Sequence, residues 1–501
     1  MNKNTIKEQT KQTDIILAEL KQAQKQGRLW ENLVEQFSQP FCISSLWMCR
    51  SYIHSVPEAF YLQNDRASRV MISVRALLAT MENDIDAAKR YVGMLGQTDR
   101  HPDHENYTAD DVIRITTELV MPYLSDNQFF HNVYFLKAIG APPVQSLTLA
   151  AGRPSIINGF RDFSRYARQI KEKNQGIVDV IQTLYGEKGA WVIEIAQAEC
   201  YYQTDDSFHA LVLVTGSIPM MESVQDVQCL FAAMALQMRI LLLNGQAQAA
   251  APLMKKIRER INGTRWEELT NSLNALEARA ACYDGKREIV ERWLSQQAPD
   301  ENQELFMMDV YAFLAKLRCY LMTGKYMLAE VLAQRLITIL EVGSRHMDIC
   351  ECYMLSAFAC CKAGNEELVC EKMEKALELA RRYHYIRLLA DEGTCMVRVL
   401  SIYHSRRGAD AFTERIMELA LEVSKRFPDY MKTPDEYYDP LTPSERQILL
   451  LLSKGYSQEQ IADRLSKKIG TVKFHCSGIY KKLDVKNRQQ AIAKASELGI
   501  I

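Results

Sequence analysis

LMTGKYMLAEVLAQRL, residues 321–336, contains the pattern that decides the fold of this 501-residue chain. An apolar helical stretch ends at Gly324, and Ala329 follows five positions later in a second helical stretch. Equivalent turns recur at spacings of 40, 40, 39 and 40 residues, at Asp205, Gly245, Gly285, Gly324 and Gly364. The fifth residue after each turn is small or β-branched: Ala210, Ala250, Val290, Ala329 and Val369. A fixed period of this length predicts stacked helix pairs.

The turn residue and the small residue have different physical roles in each unit. The turn residue tolerates the left-handed conformation that ends a helix, and the small side chain lets the second helix lie close to the first. We therefore predict an all-α fold in which residues 166–427 form an α-solenoid. The units resemble tetratricopeptide repeats, but their period exceeds the usual value of about 34 residues, which implies longer helices.

The regions on either side of this array have a different character. Residues 1–165 are predicted to be helical with atypical repeats, because Asn83 and Ala88 repeat the turn and spacing out of phase, and Pro and Gly residues interrupt 100–165. Several prolines, which cannot all lie inside one helix, indicate a linker over residues 428–440. We place a separate C-terminal domain at residues 441–501.

Charge is distributed unevenly between these regions. The whole chain has a net charge of −1, but residues 441–501 contain 11 Lys and Arg against 5 Asp and Glu, a net charge of +6 that leaves −7 for the rest. Clustered basic residues attract polyanions whatever the total charge of the chain is. The C-terminal domain is therefore the candidate nucleic-acid-binding module.

Composition points to a cytoplasmic protein. The 13 cysteines are scattered and form no CxxC pair, which is typical of reduced, buried thiols. The N-terminus has no secretory pattern, and no apolar run approaches the roughly 18 residues of a membrane span. We expect no membrane association.

The C-terminal domain is predicted to contain four short helices. Thr442-Pro443-Ser444-Glu445 and Ser457 with Gln460 are capping-box patterns, and Asn487 with Gln490 starts the last helix. In the third helix one face carries apolar side chains at helical spacing, namely Val472, Cys476, Ile479 and Leu483. The opposite face presents Lys473, Phe474, Ser477 and Lys481, as a helix that reads base edges in the major groove would.

LTPSERQILLLLSKGYSQEQIADRLSKKIGTVKFHCSGIYKKLDVKNRQQAIAKA, residues 441–495, resembles the LuxR-type helix-turn-helix along its whole length. The resemblance implies that Lys473, Phe474 and Ser477 face bases. Resemblance and charge together assign the phosphate-facing positions to Lys467, Lys468, Thr471, Lys481, Lys482, Lys486 and Arg488. Lys468 departs from the family pattern, which usually has a capping serine there, so the third helix lacks a side-chain cap.

The repeats resemble the helical-repeat part of MalT-like regulators, through YIRLLADEG at residues 385–393. No GxxxxGK[ST] motif is present, so we expect no ATPase module, no cofactor, no metal and no catalytic residues. The expected protein is a transcription regulator that is not an enzyme. Its expected partners are double-stranded DNA, an unknown small-molecule, peptide or protein effector at the repeats, a second copy on DNA and, as a further candidate, RNA polymerase.

Less specific interpretations remain open for several features. The C-terminal domain could mediate dimerisation or docking in a scaffold protein, and His475 with Cys476 could suggest a metal pair, although a packed or phosphate-facing histidine fits helix geometry better. The cysteines around Cys350–Cys361 could sense redox state or fill the core. Residues 152–166, with three arginines, could bind an anion or form an ordered connection. The abundant tyrosines could line a ligand groove or be core residues.

Overall fold

The computed structural model describes residues 16–38, 43–63, 65–96, 105–144, 153–159, 161–224, 226–261, 268–302, 304–431, 441–465, 467–483 and 485–497. The chain divides into two compact units, Met1–Tyr430 and Met431–Ile501. Regular secondary structure in the described ranges is helical, apart from an isolated bridge between Asn158 and Asp162. This confirms the predicted all-α fold.

The N-terminal part of the first unit contains helices of uneven length. They are α1 (16–25), α2 (Leu29–Ser38), α3 (Ile43–Met48), α4 (Arg50–His54), α5 (Glu58–Tyr61), α6 (Arg66–Met81), α7 (Ile85–Met94), α8 (Ala109–Glu118) and α9 (Asp126–Ala138). Asn83, in the turn between α6 and α7, has φ 63°, and Ala88 is fully buried. This pair therefore has the turn and the packing that were predicted for it.

The central helices form the repeat array. They are α10 (Ala167–Lys171), α11 (Gln175–Tyr185), α12 (Gly189–Gln203), α13 (Ser207–Val224), α14 (Val227–Leu243), α15 (Ala247–Ile261), α16 (Glu268–Tyr283), α17 (Arg287–Gln296), α18 (Val310–Met322), α19 (Tyr326–Val342), α20 (His346–Lys362) and α21 (Glu366–Tyr383). Each predicted turn residue has a positive φ, between 67° at Asp205 and 82° at Gly245, and all five small residues are buried. The predicted α-solenoid is confirmed.

Three further helices, α22 (Ile386–Ala390), α23 (Thr394–Arg407) and α24 (Ala411–Ser424), follow the last repeat. The start of the predicted linker packs with them, because Asp429 and Tyr430 are buried and the Tyr430 hydroxyl donates to Glu392 Oε2 at 2.9 Å. Residues 432–440 of that linker lie outside the described residues. The described start of the segment thus continues the first unit.

The connection before the repeats is buried against the repeat helices. Arg153 contacts Asp348 at 2.7 Å and Glu351 at 2.9 Å. Glu199 on α12 accepts hydrogen bonds from the Ser155 hydroxyl and from the backbone amides of residues 156 and 157. Residues 153–159 are therefore an ordered connection, as expected, and they bring a buried arginine to the repeats.

The cysteines of the cluster in α20 and α21 are core residues. Cys350, Cys352, Cys360 and Cys370 are buried, and burial raises the pKa of the Cys350 thiol. Such thiols are poor nucleophiles, because the thiolate is the reactive form.

Within the described ranges, no helix is long and apolar enough to cross a bilayer.

The second unit has its own hydrophobic core. It comprises α25 (Pro443–Ser453), α26 (Gln458–Arg464), α27 (Ile469–Lys482) and α28 (Arg488–Glu497). Its core joins buried side chains of all four helices, among them Ile448, Ile461, Val472, Ile479 and Ala491. The four predicted helices are present, and α27 is the predicted recognition helix.

Candidate nucleic-acid interface

Two capping boxes set the starts of α25 and α26. The Thr442 hydroxyl accepts from the Glu445 amide while the Glu445 carboxylate accepts from the Thr442 amide, and Ser457 and Gln460 repeat the arrangement. Gly455 provides the turn between these helices with φ 92°. These local interactions position the helices against which α27 packs.

The α27 helix has one buried and one exposed face. Val472, Cys476 and Ile479 are at most 1% exposed and fill the core. Phe474 is 76% exposed, and Lys473 and Ser477 are exposed beside it. Burying a phenylalanine side chain typically stabilises a protein by about 1.5–3 kcal/mol, and the exposed Phe474 gains little of this within the unit. This side chain is available for an external partner.

The N-terminus of α27 is positively charged. Lys468 occupies the N-cap position with φ −68° and ψ 141°, and no side chain caps the helix there. Lys468 and Thr471 are exposed, while Lys467 is partly buried, with its Nζ 3.4 Å from the Ser444 hydroxyl. Backbone amides at a helix N-terminus attract anions, and the lysines add to this attraction.

Comparisons with known proteins match the two units separately. A model described as the MalT-like TPR region matches residues 178–406, and one described as bacterial regulatory proteins of the luxR family matches residues 439–495. The chain carries a MalT-like TPR region and a luxR-family domain. Over 80 residues it is 42% identical to the response regulator protein VraR of Staphylococcus aureus and of Staphylococcus epidermidis. That match covers 16% of this chain and 38% of each relative.

Besides Lys467, two predicted phosphate-facing residues have partners inside the luxR-family domain. Lys482 Nζ donates to Glu445 Oε2 at 2.6 Å, and Arg488 Nη2 donates to the carbonyl oxygen of Leu452 at 2.5 Å. Lys481 and Lys486 are exposed. The structure thus separates the predicted basic residues into exposed ones and ones that also hold helices together.

Glu445 links α25 to α27 within the luxR-family domain. Besides its bonds to Thr442 and Lys482, its carboxylate lies close to the α27 backbone, since a Cβ on Gly478 would be 3.0 Å from Glu445 Oε1. The sequence identified Glu445 as a capping residue and did not indicate its contact with α27. That contact joins residues 37 positions apart, and no local pattern encodes it.

Arg464 is a basic residue that the sequence prediction missed. It is exposed at the end of α26, and its guanidinium lies 4.7 Å from the centre of the Tyr456 ring. Its position could have indicated it, because the first helix of a helix-turn-helix crosses the DNA backbone. His475 is half-buried, Cys476 is buried, and the described residues contain no metal-binding cluster.

Proposed function

We propose that this protein is a sequence-specific DNA-binding transcription regulator. The exposure of Lys473, Phe474 and Ser477 on a helix whose other face is buried carries the proposal. In the major groove, lysine can donate to the O6 and N7 atoms of guanine, and an aromatic ring can contact the methyl group of thymine. We assign these three residues to base contacts.

Phosphate contacts are assigned to the basic rim of the same domain. The residues are Arg464, Lys467, Lys468, Thr471, Lys481, Lys482, Lys486 and Arg488. The exposed lysines and the uncapped N-terminus of α27 support this assignment. Lys482 and Arg488 would contact phosphates while keeping their bonds within the domain.

The MalT-like TPR region is proposed to sense an effector and to control the luxR-family domain. Repeat arrays present extended surfaces that bind ligands, and this array precedes the DNA-binding domain in the same chain. The full proposal is a cytoplasmic regulator without enzymatic activity that binds double-stranded DNA as a homodimer. RNA polymerase is a further proposed partner.

Selection of binding sites from random duplexes by the full chain tests the DNA-binding proposal. The wild-type protein should enrich one motif, and its affinity should fall as salt rises, because phosphate contacts release counterions. The variants Lys473→Ala and Phe474→Ala should lose preference at individual base pairs, each worth about 1–3 kcal/mol, with little change in non-specific binding.

Lys255→Ala is the control for the loss of a positive charge, because this side chain is 82% exposed in the first unit. It should leave the selected motif unchanged. A wild-type chain that enriches no motif at any salt concentration would contradict DNA recognition and favour a docking or dimerisation module. Selection of the same motif at full preference by both recognition-helix variants would contradict the assignment of base contacts.

A further inference from the structure

A cavity lies between the repeat helices and the connection at residues 153–157, and the empty space in it, including the part that is open solvent, is about 780 Å³. Helices α12, α14 and α16 contribute Tyr202, Arg239 and Arg279 to its wall, and the connection contributes Arg153. Most of the remaining wall is apolar. Cavities of this kind, largely apolar with a few convergent polar groups, are typical sites for small molecules.

The wall belongs to a network with more arginines than carboxylates. Six arginines have side chains no more than 18% exposed: Arg153, Arg239, Arg279, Arg318, Arg345 and Arg387. Four fully buried carboxylates pair with them, namely Asp348, Glu351, Asp391 and Glu392. Asp205, at the edge, is shared between Arg387 and the exposed Arg415. The six buried arginines therefore outnumber the four fully buried carboxylates that pair with them.

Two other buried carboxylates near the cavity do not pair with arginines in this network. Asp162 and Glu199 accept hydrogen bonds from backbone amides. Burial raises the pKa of Glu199, which favours its neutral form, although its hydrogen bonds and the nearby Arg153 act in the opposite direction. Glu199 also lines the cavity. Burial of a guanidinium is costly unless its donors are paired.

Arg279 is the most weakly held of the cavity arginines. Its nitrogens lie 3.5 Å from Glu351 Oε1 and 3.4 Å from Glu392 Oε1, which is long for charged partners. Arg318 approaches the same two oxygens at 2.6 and 2.5 Å. Since Arg318 already occupies these acceptors, the Arg279 guanidinium retains donor capacity on the wall of the cavity.

Tyr283 adds an unpaired polar group to the same wall. Its side chain is buried, and its hydroxyl has no hydrogen-bond partner among the described residues. An unsatisfied buried hydroxyl is unfavourable, because burial removes its hydrogen bonds to water. A ligand oxygen that accepts from both Tyr283 and Arg279 would satisfy the hydroxyl and the weakly held guanidinium together.

We propose that this cavity binds a small aromatic anion. Its carboxylate or phosphate would accept from Arg279 and Tyr283, and its ring would lie among the apolar wall and the tyrosines. The inference deepens the proposed function and rests on it, since the anion would be the effector that the repeats sense. It specifies both the site and the chemical class of that effector.

Ligand-observed NMR titration of the full chain at constant ionic strength tests the site. The probes are benzoate and phenyl phosphate, which distinguish a carboxylate from a phosphate ligand, and benzamide, an uncharged analogue of benzoate. At least one anion should bind saturably at millimolar concentration or below, at least tenfold more tightly than benzamide. Tyr283→Phe should weaken that binding about 3- to 10-fold, in line with the loss of one hydrogen bond.

Arg279→Gln should reduce binding at least tenfold, while Arg168→Gln, at a side chain that is 83% exposed, should not change it. If Arg279→Gln fails to fold, Tyr283→Phe alone decides. Failure of both anions to bind, or binding that is unaffected by Tyr283→Phe, would overturn the site. Selection of DNA sites in the absence of the probes is a separate measurement. A negative result for anion binding would therefore not contradict the DNA-binding proposal.

Discussion

At the scale of single residues, Glu445 shows how one side chain serves folding and the candidate interface together. It is buried, closes the capping box of α25 and accepts from Lys482 on α27. Burial alone would raise its pKa, but the bonds from Lys482 and Thr442 outweigh burial and hold the pKa below its usual value of 4.5. Folding of the second unit therefore favours ionised Glu445.

Neighbouring lysines should consequently behave differently when replaced. Lys481→Ala should reduce the salt dependence of DNA binding by about one unit of slope without changing stability, because this exposed lysine would contact only phosphate. Lys482→Ala should also destabilise the second unit by about 1 kcal/mol, since the partly exposed ion pair with Glu445 is lost. Salt titrations of DNA affinity and hydrogen exchange of the α27 amides measure the two effects. Equal exchange rates in the two variants would contradict the role of Lys482.

The pH dependence of this pair has a defined sign. Because the folded-state pKa of Glu445 is lowered, its contribution to stability is complete above about pH 4.5 and is lost as the pH falls through the folded-state pKa. The stability difference between the wild type and Lys482→Ala should therefore shrink on acidification. Hydrogen exchange at neutral and acidic pH checks this, and a difference that grows in acid would contradict it.

At the scale of elements, α27 begins without a side-chain cap, although the backbone of Lys468 has the extended conformation of an N-cap residue. Lys468→Ser should stabilise the start of the helix by about 0.5–2 kcal/mol, whereas Lys468→Ala should not. Both variants lose the same charge and should show the same reduced salt slope in DNA binding. Hydrogen exchange of the amides in the first turn of α27 distinguishes the stabilising effect of the serine cap from the effect of the lost charge. Identical protection in the two variants would contradict the capping argument.

At the scale of the whole molecule, the cavity network reaches the end of the first unit. Glu392 accepts from Arg279 and Arg318 and also from the hydroxyl of Tyr430, the last residue of that unit. An anion that draws Arg279 away from Glu392 would change the hydrogen bonding of the segment that leads to the luxR-family domain. Coupling between two such sites is typically worth about 1–3 kcal/mol, or about 5- to 150-fold in affinity.

The affinity of the full chain for its selected duplex should therefore change on addition of whichever of benzoate or phenyl phosphate binds. Tyr430→Phe should reduce this change, while Tyr403→Phe, which removes another hydroxyl donor to a glutamate, should retain it. Fluorescence anisotropy of labelled duplex at fixed salt measures both. An unchanged affinity in the wild type, with residues 435–501 alone binding equally well, would make the repeats a tether and not a sensor.

Features that depend on local chemistry could be predicted from the amino-acid sequence. Turns at Asp205 and Gly324, the capping boxes, and the buried and exposed faces of α27 all follow from residues within a few positions of each other, and the structure has them where they were predicted. The structure of a repeat array can be predicted from local patterns because each unit contacts the units that are next to it in the sequence. The family resemblance added the assignments of Lys473, Phe474 and Ser477, which remain proposals.

Contacts between residues that are distant in the sequence could be identified only in the folded protein. Arg153 contacts Asp348, 195 positions away, and Tyr202 donates to Asp391, 189 positions away. Nothing in the spacing of these residues distinguishes a buried ion pair from a solvated charge, because burial is set by the packing of the whole array. The arginine-rich cavity, the role of Glu445 and the packing of Tyr430 all depend on such contacts, which form only when the helices stack.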